Sequence, residues 1–332
     1  MGAARSIAHD DMGWNEARLL DWIATWERPA VLAGSRGHDA AVLAPRAGRM
    51  VVCADQVALG VHAALDVAPA RFGAKAIART VSDLAATAAQ PYATLVTVRA
   101  PAAFDERWLK AALKGAVRRA HELGAPIVGG DLCAADGAPS FSCTALGVFA
   151  SRRTPPGRDR ARVGQVVVAT GAFGGSLLGR HLAIEPRIAA GRALFAAGAT
   201  ALMDVSDGLG LDLSRLARAS GVRIVLDHVP VHRDAKRRAR TTGRAALDHA
   251  LEDGEDHELL ATLPAARARE LLARGLDGCP AACVIGRVER GSGLELALAA
   301  RTGAWRGRGF VHGQVGHGQV GHGQVEHSEA RR

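Results

Sequence analysis

Residues 201–221 read ALMDVSDGLGLDLSRLARASG, and this pattern combines a buried strand, a tight turn and a helix. The apolar run at the start is typical of a strand, and the stretch after the turn is predicted to be helical to about residue 219. Asp204 and Asp207 bracket the turn itself. A strand that leads directly into a helix is the basic unit of an α/β fold. This stretch therefore predicts that fold class and places two carboxylates at a strand end, where ligands gather in such folds.

The N-terminal half of the chain shows the same alternation of strands and helices. Apolar residues at helical spacing predict a helix within residues 14–26. Residues 40–55 are predicted to form a hairpin whose turn lies at residues 46–49. Together these elements predict an α/β domain over about residues 30–150. The other elements predicted in it are helices at 70–89 and 105–123 and strands at 92–100, 126–131 and 140–150.

A segment rich in arginine, proline and glycine, residues 151–163, is interpreted as a linker between two domains. The domains are predicted to span residues 1–150 and 164–310. Residues 233–244 form a basic run without apolar periodicity and are interpreted as a solvated loop. The repeats HGQVG, HGQVG and HGQVE lie within residues 311–332, which have little to bury and are predicted to be disordered. The other elements predicted in the second domain are strands at 166–171 and 222–227 and a helix near 187–197.

The composition restricts the class of protein. The chain has 332 residues, 48% of them hydrophobic and 23% charged, which is ordinary for a folded protein. No apolar run approaches the roughly 20 residues that span a bilayer, and no secretory signal is apparent. Five cysteines argue against a disulfide framework and favour the reducing cytoplasm. The net charge of +9 is compatible with anionic partners, and equally with an arginine-rich composition that has no functional meaning.

Aspartates recur at the ends of predicted strands and at turns, and one, Asp83, lies late in a predicted helix. Carboxylate oxygens suit Mg²⁺, and carboxylates crowded together repel one another and raise each other's pKa, so a cation is their natural partner. Each aspartate alone could equally be a helix cap or a turn residue, so the prediction of a metal site rests on the whole set. The set comprises Asp39, Asp55, Asp83, Asp131, Asp204 and Asp207.

A glycine-rich segment, GAFGGSLLG at residues 171–179, follows a predicted strand. Its backbone amides could approach a phosphate. It lacks the lysine and hydroxyl residue of a Walker A loop and the spacing of a dinucleotide fingerprint. A tight strand-to-helix turn explains the segment as well as a phosphate site does, and both interpretations stay open.

Eight segments of the chain carry a resemblance to a known family through their order and spacing: GHDAAVL, CADQVALGVH, TVSDLAAT, VGGD, IEPRIAAGRAL, MDVSDGLGLDLSRLARASG, DGEDHELL and VIGRV. They resemble the thiamine-monophosphate kinases, which belong to the PurM-like superfamily, also called the aminoimidazole ribonucleotide synthetase-like superfamily. The resemblance covers residues from about 30 to 310, and its most specific part is DVSDGL with the downstream GED. It implies an N-terminal mixed-sheet α/β domain that pairs with its twin in a homodimer, a C-terminal α/β domain, and an ATP site where the domains meet.

The resemblance also implies roles for individual residues, with ATP and thiamine monophosphate as the small-molecule partners. The six aspartates of the set fall on the family's magnesium ligands, and Asp83 and Asp207 are expected to matter most for turnover. His62 and Glu255 fall on positions that hold thiamine monophosphate. Trp305 or Phe310 is expected to supply an aromatic ring against the thiamine. Gly130, Asp131, Arg158 and Ser206 fall on ATP contacts.

The implied reaction is phosphoryl transfer from ATP to the phosphate of thiamine monophosphate, which is already anionic and needs no general base. Several Mg²⁺ ions are expected to neutralise the phosphates and align them for in-line displacement. The chain departs from the family pattern beside these ligands, and each departure removes an oxygen ligand or a hydrogen bond. The departures predict weaker or altered metal binding rather than none. They are His38, Cys53, Ala54, Leu132, Cys133 and His257.

Three alternatives stay open at this stage. The first is a related PurM-like ATP enzyme that acts on another small metabolite, because the departures leave room for a different substrate. The second is a nucleotide-binding or regulatory protein that lacks catalysis. Binding of nucleic acid through the basic run is the least favoured, and a membrane partner is not expected.

Overall fold

The computed structural model describes residues 13–26, 31–33 and 40–307 together with Gly309. Asp39, His38, Phe310 and the repeats of residues 311–332 lie outside this part, so the predictions made for them stay predictions. Within the described part, no helix combines the length and apolarity needed to cross a membrane. The five cysteines are all free thiols.

The N-terminal half is built on a mixed four-stranded sheet. Its strands stand in the order β3-β6-β4-β5, with β4 and β5 parallel and the other neighbours antiparallel. Two short strands, β1 and β2, pair separately with each other. The elements are α1 (Glu16–Ile23), β1 (Val31–Ala33), β2 (Val42–Leu43), β3 (Arg49–Ala58), α2 (Pro69–Ala86), β4 (Gln90–Ala100), α3 (Glu106–Glu122), β5 (Ile127–Ala134) and β6 (Ser140–Phe149).

The two faces of this sheet have different surroundings. Helices α2 and α3 pack against each other and cover one face, where side chains such as Val57, Phe141 and Val98 are buried. The opposite face carries the alternate residues of each strand. Several of these are apolar and exposed, among them Met50 and Val52, which are 53% and 60% exposed.

The C-terminal half is built on a seven-stranded sheet in the order β13-β12-β9-β11-β7-β10-β8. Only β9 and β12 are parallel neighbours; the other pairs are antiparallel. The elements are β7 (Gln165–Ala169), α4 (Ile188–Ala196), β8 (Ala201–Asp204), α5 (Leu209–Ser220), β9 (Arg223–Leu226), α6 (Arg233–Thr242), α7 (Ala246–Glu252), β10 (Leu259–Pro264), α8 (Ala265–Arg274), β11 (Cys283–Glu289), β12 (Gly293–Leu298) and β13 (Arg301–Ala304).

Helix α2 joins the two halves. Its C-terminal turn, with Ala85 and Ala86, shares a buried apolar cluster with Leu194 of α4 and Leu259 of β10. The same helix contacts β8. Residues late in α2 are therefore held at the end of β8, where the DVSDG turn begins.

The structure confirms the long predicted helices and corrects three local predictions. The prediction of a hairpin over residues 40–55 is wrong, because β2 pairs with β1 while β3 pairs along its length with the distant β6. The basic run is a helix, α6, rather than a loop. Its lysine, arginines and alanines are good helix formers, and it needs to bury only Ala235.

The third correction concerns strand ends. Asp55 and Asp131 do not end their strands, because β3 continues to Ala58 and β5 to Ala134. Asp204, in contrast, does end β8 as predicted. A strand ends where its pairing ends, and the pairing with β6 and β4 extends beyond the two aspartates.

Candidate active site

One face of α2 carries charged residues into the space between the two halves of the chain. Lys75, Arg79 and Asp83 follow one another at four-residue intervals, so they lie along a single stripe of the helix. The Lys75 side chain is fully buried and that of Arg79 is 10% exposed. Buried charges are costly unless they are paired, so this stripe has partners on neighbouring elements.

Asp83 and Asp204 meet across the domain boundary at the end of the stripe. Ser82, next to Asp83, donates a hydrogen bond of 2.7 Å from Oγ to Asp204 Oδ2. Burial, followed by the nearby charges of Asp204 and Asp55, raises the pKa of Asp83 to about 7. Asp83 has no ion-pair partner among the described residues. The end of the stripe is therefore a site with an excess of negative charge.

Glu255 lies at the other end of the stripe, surrounded by cations. Lys75 Nζ is 2.8 Å from its Oε2, and an Arg79 terminal nitrogen is 2.8 Å from its Oε1. Burial alone would raise the pKa of Glu255, but the charges of Lys75, Arg79 and His257 hold it well below its ordinary value. Glu255 is thus an ionised carboxylate held between the two halves of the chain.

The loop that presents Glu255 has an unusual backbone. Both Glu255 and His257 have left-handed conformations, with φ of 55° and 51°. Such a conformation costs about 1–2 kcal/mol for a residue with a side chain. Backbone hydrogen bonds hold it in place: Glu255 N donates to Ser206 O at 2.7 Å and His257 N to Val205 O at 2.8 Å. The DVSDG turn therefore determines where Glu255 stands.

His257 lies between the two ends of the cluster. Its Nδ1 is 3.1 Å from Asp204 Oδ2, and its Nε2 is 3.6 Å from Glu255 Oε2. Burial by itself lowers the pKa of His257, but the pairing with these two carboxylates outweighs it and raises the pKa to about 9. At neutral pH this residue is an imidazolium that bridges a predicted metal ligand and a predicted substrate ligand.

The DVSDG turn is closed by a carboxylate of its own. Asp212, in the first turn of α5, accepts hydrogen bonds from the backbone N–H groups of Ser206 and Asp207 at 3.1 and 3.0 Å. Burial is the main reason why the pKa of Asp212 is raised to about 6. Arg215 pairs with both Asp207 and Asp212. The turn is consequently rigid, and Asp207 is held at its outer edge.

Two carboxylates from the loop that presents Glu255 hold the glycine-rich segment of residues 171–179. The backbone N–H groups of Gly174 and Gly175 donate to Asp256 and Asp253 at 3.0 and 2.9 Å. Ser176 Oγ donates to Gly254 O at 2.6 Å. Since these amides already have carboxylate partners, the segment supports the Glu255 loop, which favours the turn interpretation over a phosphate site.

Three further predicted residues lie at the border of the cluster. His62 Nδ1 accepts a hydrogen bond of 3.0 Å from Ala58 N, and its carbonyl oxygen is 2.5 Å from Lys75 Nζ. Arg158 is exposed, and its charge lowers the pKa values of Asp83 and Asp204. Trp305 packs on the start of α5, where a Cβ on Gly210 would lie 2.5 Å from Trp305 Cε2.

Comparison with known proteins identifies the family. The models of the AIR synthase related protein match the chain, the N-terminal domain over residues 37–149 and the C-terminal domain over residues 162–299. A thiamine-monophosphate kinase from Rhodopirellula baltica is 34% identical over 306 residues, which cover 91% of this chain and 90% of the relative. The chain belongs to the thiamine-monophosphate kinase family.

Solved structures of this family have the same fold. The crystal structure of thiamine-monophosphate kinase from Stenotrophomonas maltophilia is 31% identical, with a TM-score of 0.71, and covers 86% of this chain and 98% of that one. A structure of AaThiL complexed with AMPPCP and TMP is 26% identical, with a TM-score of 0.66, and covers 93% and 100%. The expected two-domain PurM-like architecture is confirmed.

A single chain does not bring together all the residues to which the family resemblance assigns a role in binding metal, ATP or substrate. Asp131 is in register with Thr97, Thr97 with Ser142, and Ser142 with Gln56, and all four residues are exposed on the face of the N-terminal sheet opposite α2. Asp55 is in register with buried Cys143, on the face that α2 covers. The predicted metal and ATP roles of Asp131 therefore concern the other side of the sheet from the cluster around Asp83, whereas Gly130 is in register with buried Val96 on the side that α2 covers.

The carboxylates of this chain fit a magnesium site, although they do not form a complete set of ligands by themselves. Within the described residues, no three acidic, imidazole or thiol groups converge tightly enough to hold one ion. Mg²⁺, however, is commonly bound through one or two carboxylates, several waters and the phosphates of a substrate. Asp83 and Asp204 offer such a pair. Asp204 already has His257 as a partner, so the charge that a divalent cation would neutralise is above all that of Asp83.

Sequence reasoning missed several residues of the cluster. Lys75 and Arg79 are charged residues at four-residue spacing before Asp83 in a mainly apolar helix, and this spacing is a signal that the sequence contains. Asp212 carries no comparable signal, because an aspartate in the first turn of a helix is ordinary. His257 was noted only as a departure from the family pattern, and its bridging position depends on the tertiary structure.

Proposed function

We propose that this chain is a kinase that transfers the γ-phosphoryl group of ATP to the phosphate of thiamine monophosphate, giving thiamine diphosphate and ADP. The observation that carries the proposal is the half-buried Asp83 beside the buried Asp204 where the two domains meet, in a chain so similar to thiamine-monophosphate kinases. We also propose that it acts in the cytoplasm, with which its free thiols are compatible.

In this proposal Asp83, Asp204 and Asp207 hold Mg²⁺. The ion supplies positive charge that offsets the repulsion between the two phosphate-bearing substrates. Asp83 is suited to this task because its carboxylate makes no ion pair with a protein cation among the described residues, although the charges of His257 and Arg158 act on it from a greater distance. Asp207 pairs with Arg215, whose side chain is 31% exposed and also pairs with Asp212, so this arginine keeps a partner and water when an ion binds Asp207. Asp39 is assigned by the family resemblance alone.

The chain's own residues orient the substrates. The acceptor phosphate is already ionised, so no general base is needed, and the work is positioning and charge stabilisation. Arg158 is exposed next to Asp83 and Asp204 and offers a fork of donors to a phosphate of ATP, while Ser206 offers a hydroxyl on the adjacent turn. Glu255 and His62 are proposed to bind thiamine monophosphate, with the aromatic ring of Trp305 or Phe310 against the thiamine.

We further propose that the active form is a homodimer. Asp131 and Gly130 stand at the far edge of the N-terminal sheet from Asp55, and the sheet face that carries Asp131 exposes apolar side chains. A second copy that covers this face would bury them, as stable homodimer interfaces do. It would also allow Asp131 of one chain to serve the site of the other.

The experiment supplies purified protein with ATP, Mg²⁺ and either thiamine monophosphate or free thiamine, and measures thiamine diphosphate. We expect thiamine diphosphate to form from thiamine monophosphate and not from free thiamine, and we expect Asp207→Asn to abolish this activity. Binding of ATP without any product would contradict the proposal and favour a regulatory protein. Thiamine diphosphate formed from free thiamine would mean a different kinase. Consumption of ATP without phosphorylation of either thiamine compound would indicate that the substrate is another metabolite.

A further inference from the structure

Arg79 occupies a central place in the acidic cluster. Its Nε contacts Asp55 Oδ2, and one terminal nitrogen is 2.8 Å from Glu255 Oε1. The arginine therefore joins a predicted metal ligand of the N-terminal sheet to a predicted substrate ligand of the C-terminal domain. Its side chain is 10% exposed, those of Asp55 and Glu255 27% and 16%. An ion pair with so little exposure is only weakly screened by solvent.

Both oxygens of the Asp55 carboxylate already have donors. Oδ2 is engaged by Arg79, and Oδ1 accepts a hydrogen bond of 2.7 Å from Gln56 N. The preceding residues add no oxygen ligand, because Ala54 has none to offer and Cys53 directs its thiol to Thr80 O at 3.3 Å. Asp55 thus differs from Asp83, which has no ion-pair partner in the described part of the chain.

The cluster is consequently divided into two parts. Around Asp55 and Glu255 the protein supplies its own cations, Arg79 and Lys75. Around Asp83 negative charge is in excess. A guanidinium is permanently charged and cannot leave by deprotonation, so a divalent ion at Asp55 would have to displace it and leave a buried arginine without that partner.

We propose that Arg79 takes the place of a divalent cation at Asp55, so that this chain loads one ion fewer than its set of aspartates would indicate. The proposal rests on the proposed function, since it assumes that Asp83 and its neighbours do bind metal with nucleotide. In this arrangement Arg79 is a positioning residue: it holds Asp55 and Glu255 in place across the domain boundary without a metal ion.

The test counts bound Mn²⁺ per chain by electron paramagnetic resonance of the free ion, at saturating AMPPCP. The natural chain is compared with Asp55→Asn, Arg79→Gln and the double variant, and with Arg119→Gln as a control. Arg119 likewise pairs with two glutamates, Glu122 and Glu185, but outside the cluster. Thermal unfolding of each variant verifies that it is folded.

The expected result has three parts. Asp55→Asn binds as many ions as the natural chain, because Asp55 is not a ligand there. Arg79→Gln gains one ion per chain, and the double variant loses that gain. Arg119→Gln matches the natural chain.

The Asp55→Asn comparison keeps the proposal falsifiable even if Arg79→Gln does not fold. Loss of one ion in Asp55→Asn would overturn the proposal, and so would an unchanged count in folded Arg79→Gln. Either result leaves the proposed kinase function standing, because metal is still bound with nucleotide. Absence of bound Mn²⁺ in every chain would overturn this proposal and the magnesium-dependent function together.

Discussion

Asp55 and Asp131 lie on opposite faces and at opposite edges of the same four-stranded sheet. Three strand spacings separate β3 from β5, which is about 14 Å because neighbouring strands lie about 4.8 Å apart. Asp55 faces α2, whereas Asp131 is in register with exposed Thr97 on the opposite face. Two carboxylates in this relationship cannot ligate one metal ion within a single chain.

This relationship predicts complementation between inactive subunits. If Asp131 acts on the site of a partner chain, Asp131→Asn and Asp207→Asn mixed after mild dissociation regain activity. Random pairing of equal amounts makes half of the dimers mixed, each with one intact site, so about a quarter of the natural activity is expected. The measurement is thiamine diphosphate formation before and after mixing.

The control for complementation is a mixture of Asp83→Asn with Asp207→Asn. Both residues belong to the cluster of one chain, so a mixed dimer has no intact site and no activity returns. Equal recovery in both mixtures, or none in the first, would contradict the assignment of Asp131 to the partner's site.

Asp83→Asn is expected to separate stability from activity. The folded-state pKa of about 7 lies above the ordinary value of 3.8, so the folded protein loses stability as pH rises from about 4 to 7. A shift of this size corresponds to about 4 kcal/mol at most. Without metal at pH 8 the asparagine variant should therefore be the more stable, although its turnover falls about 100-fold or more for lack of a metal ligand.

Urea unfolding at pH 4 and pH 8, without Mg²⁺ or nucleotide, measures this effect. Asp66→Asn is the matched control, since Asp66 is exposed and on the loop before α2. A stability gain that is the same at both pH values would show that the excess charge at Asp83 is not its cause.

His257→Gln is expected to have the opposite pH dependence. The folded-state pKa of about 9 lies above the ordinary 6.5, so the imidazolium contributes stability that is complete below pH 6.5 and is lost as pH rises through 9. The contribution is about 3 kcal/mol, from 1.36 kcal/mol for each pKa unit.

The difference in unfolding free energy between the natural chain and His257→Gln should therefore be large at pH 6.5 and small above pH 9. Exposed His121, replaced by glutamine, is the control and should show no such trend. A difference that does not vary with pH would mean that His257 is neutral in the folded protein.

Gly130→Ala is expected to disrupt the sheet, whatever its effect on ATP. A Cβ at Gly130 would lie 1.9 Å from the backbone oxygen of Val96, so β5 must move away from β4, at a cost of about 3 kcal/mol. At neighbouring Gly129 the nearest atom is Leu95 Cδ2 at 3.0 Å, the end of a flexible side chain. Thermal unfolding should show a clear loss for Gly130→Ala and little for Gly129→Ala; equal melting temperatures would refute the steric argument.

The helices and the strand-to-helix turns could be predicted because their signals are local. The periodicity of apolar residues predicts α2 and α3, and the DVSDG pattern predicts the end of β8 and the start of α5. Strand partners have no local signal. β3 was expected to pair with residues 40–45, but it is completed by β6, whose first residue lies more than 80 positions further along the chain.

The sequence by itself determined the six aspartates, the family to which their order belongs, and the strand–turn–helix that carries Asp204 and Asp207. Each of these depends on residue identity and short-range spacing. Only the tertiary structure decided which charges meet: Arg79 with Asp55 and Glu255, and His257 with Asp204. These pairs join elements that are distant in the chain. The pairs of Arg79 form because α2 packs between the two sheets, and that of His257 forms because backbone hydrogen bonds hold its loop against the DVSDG turn.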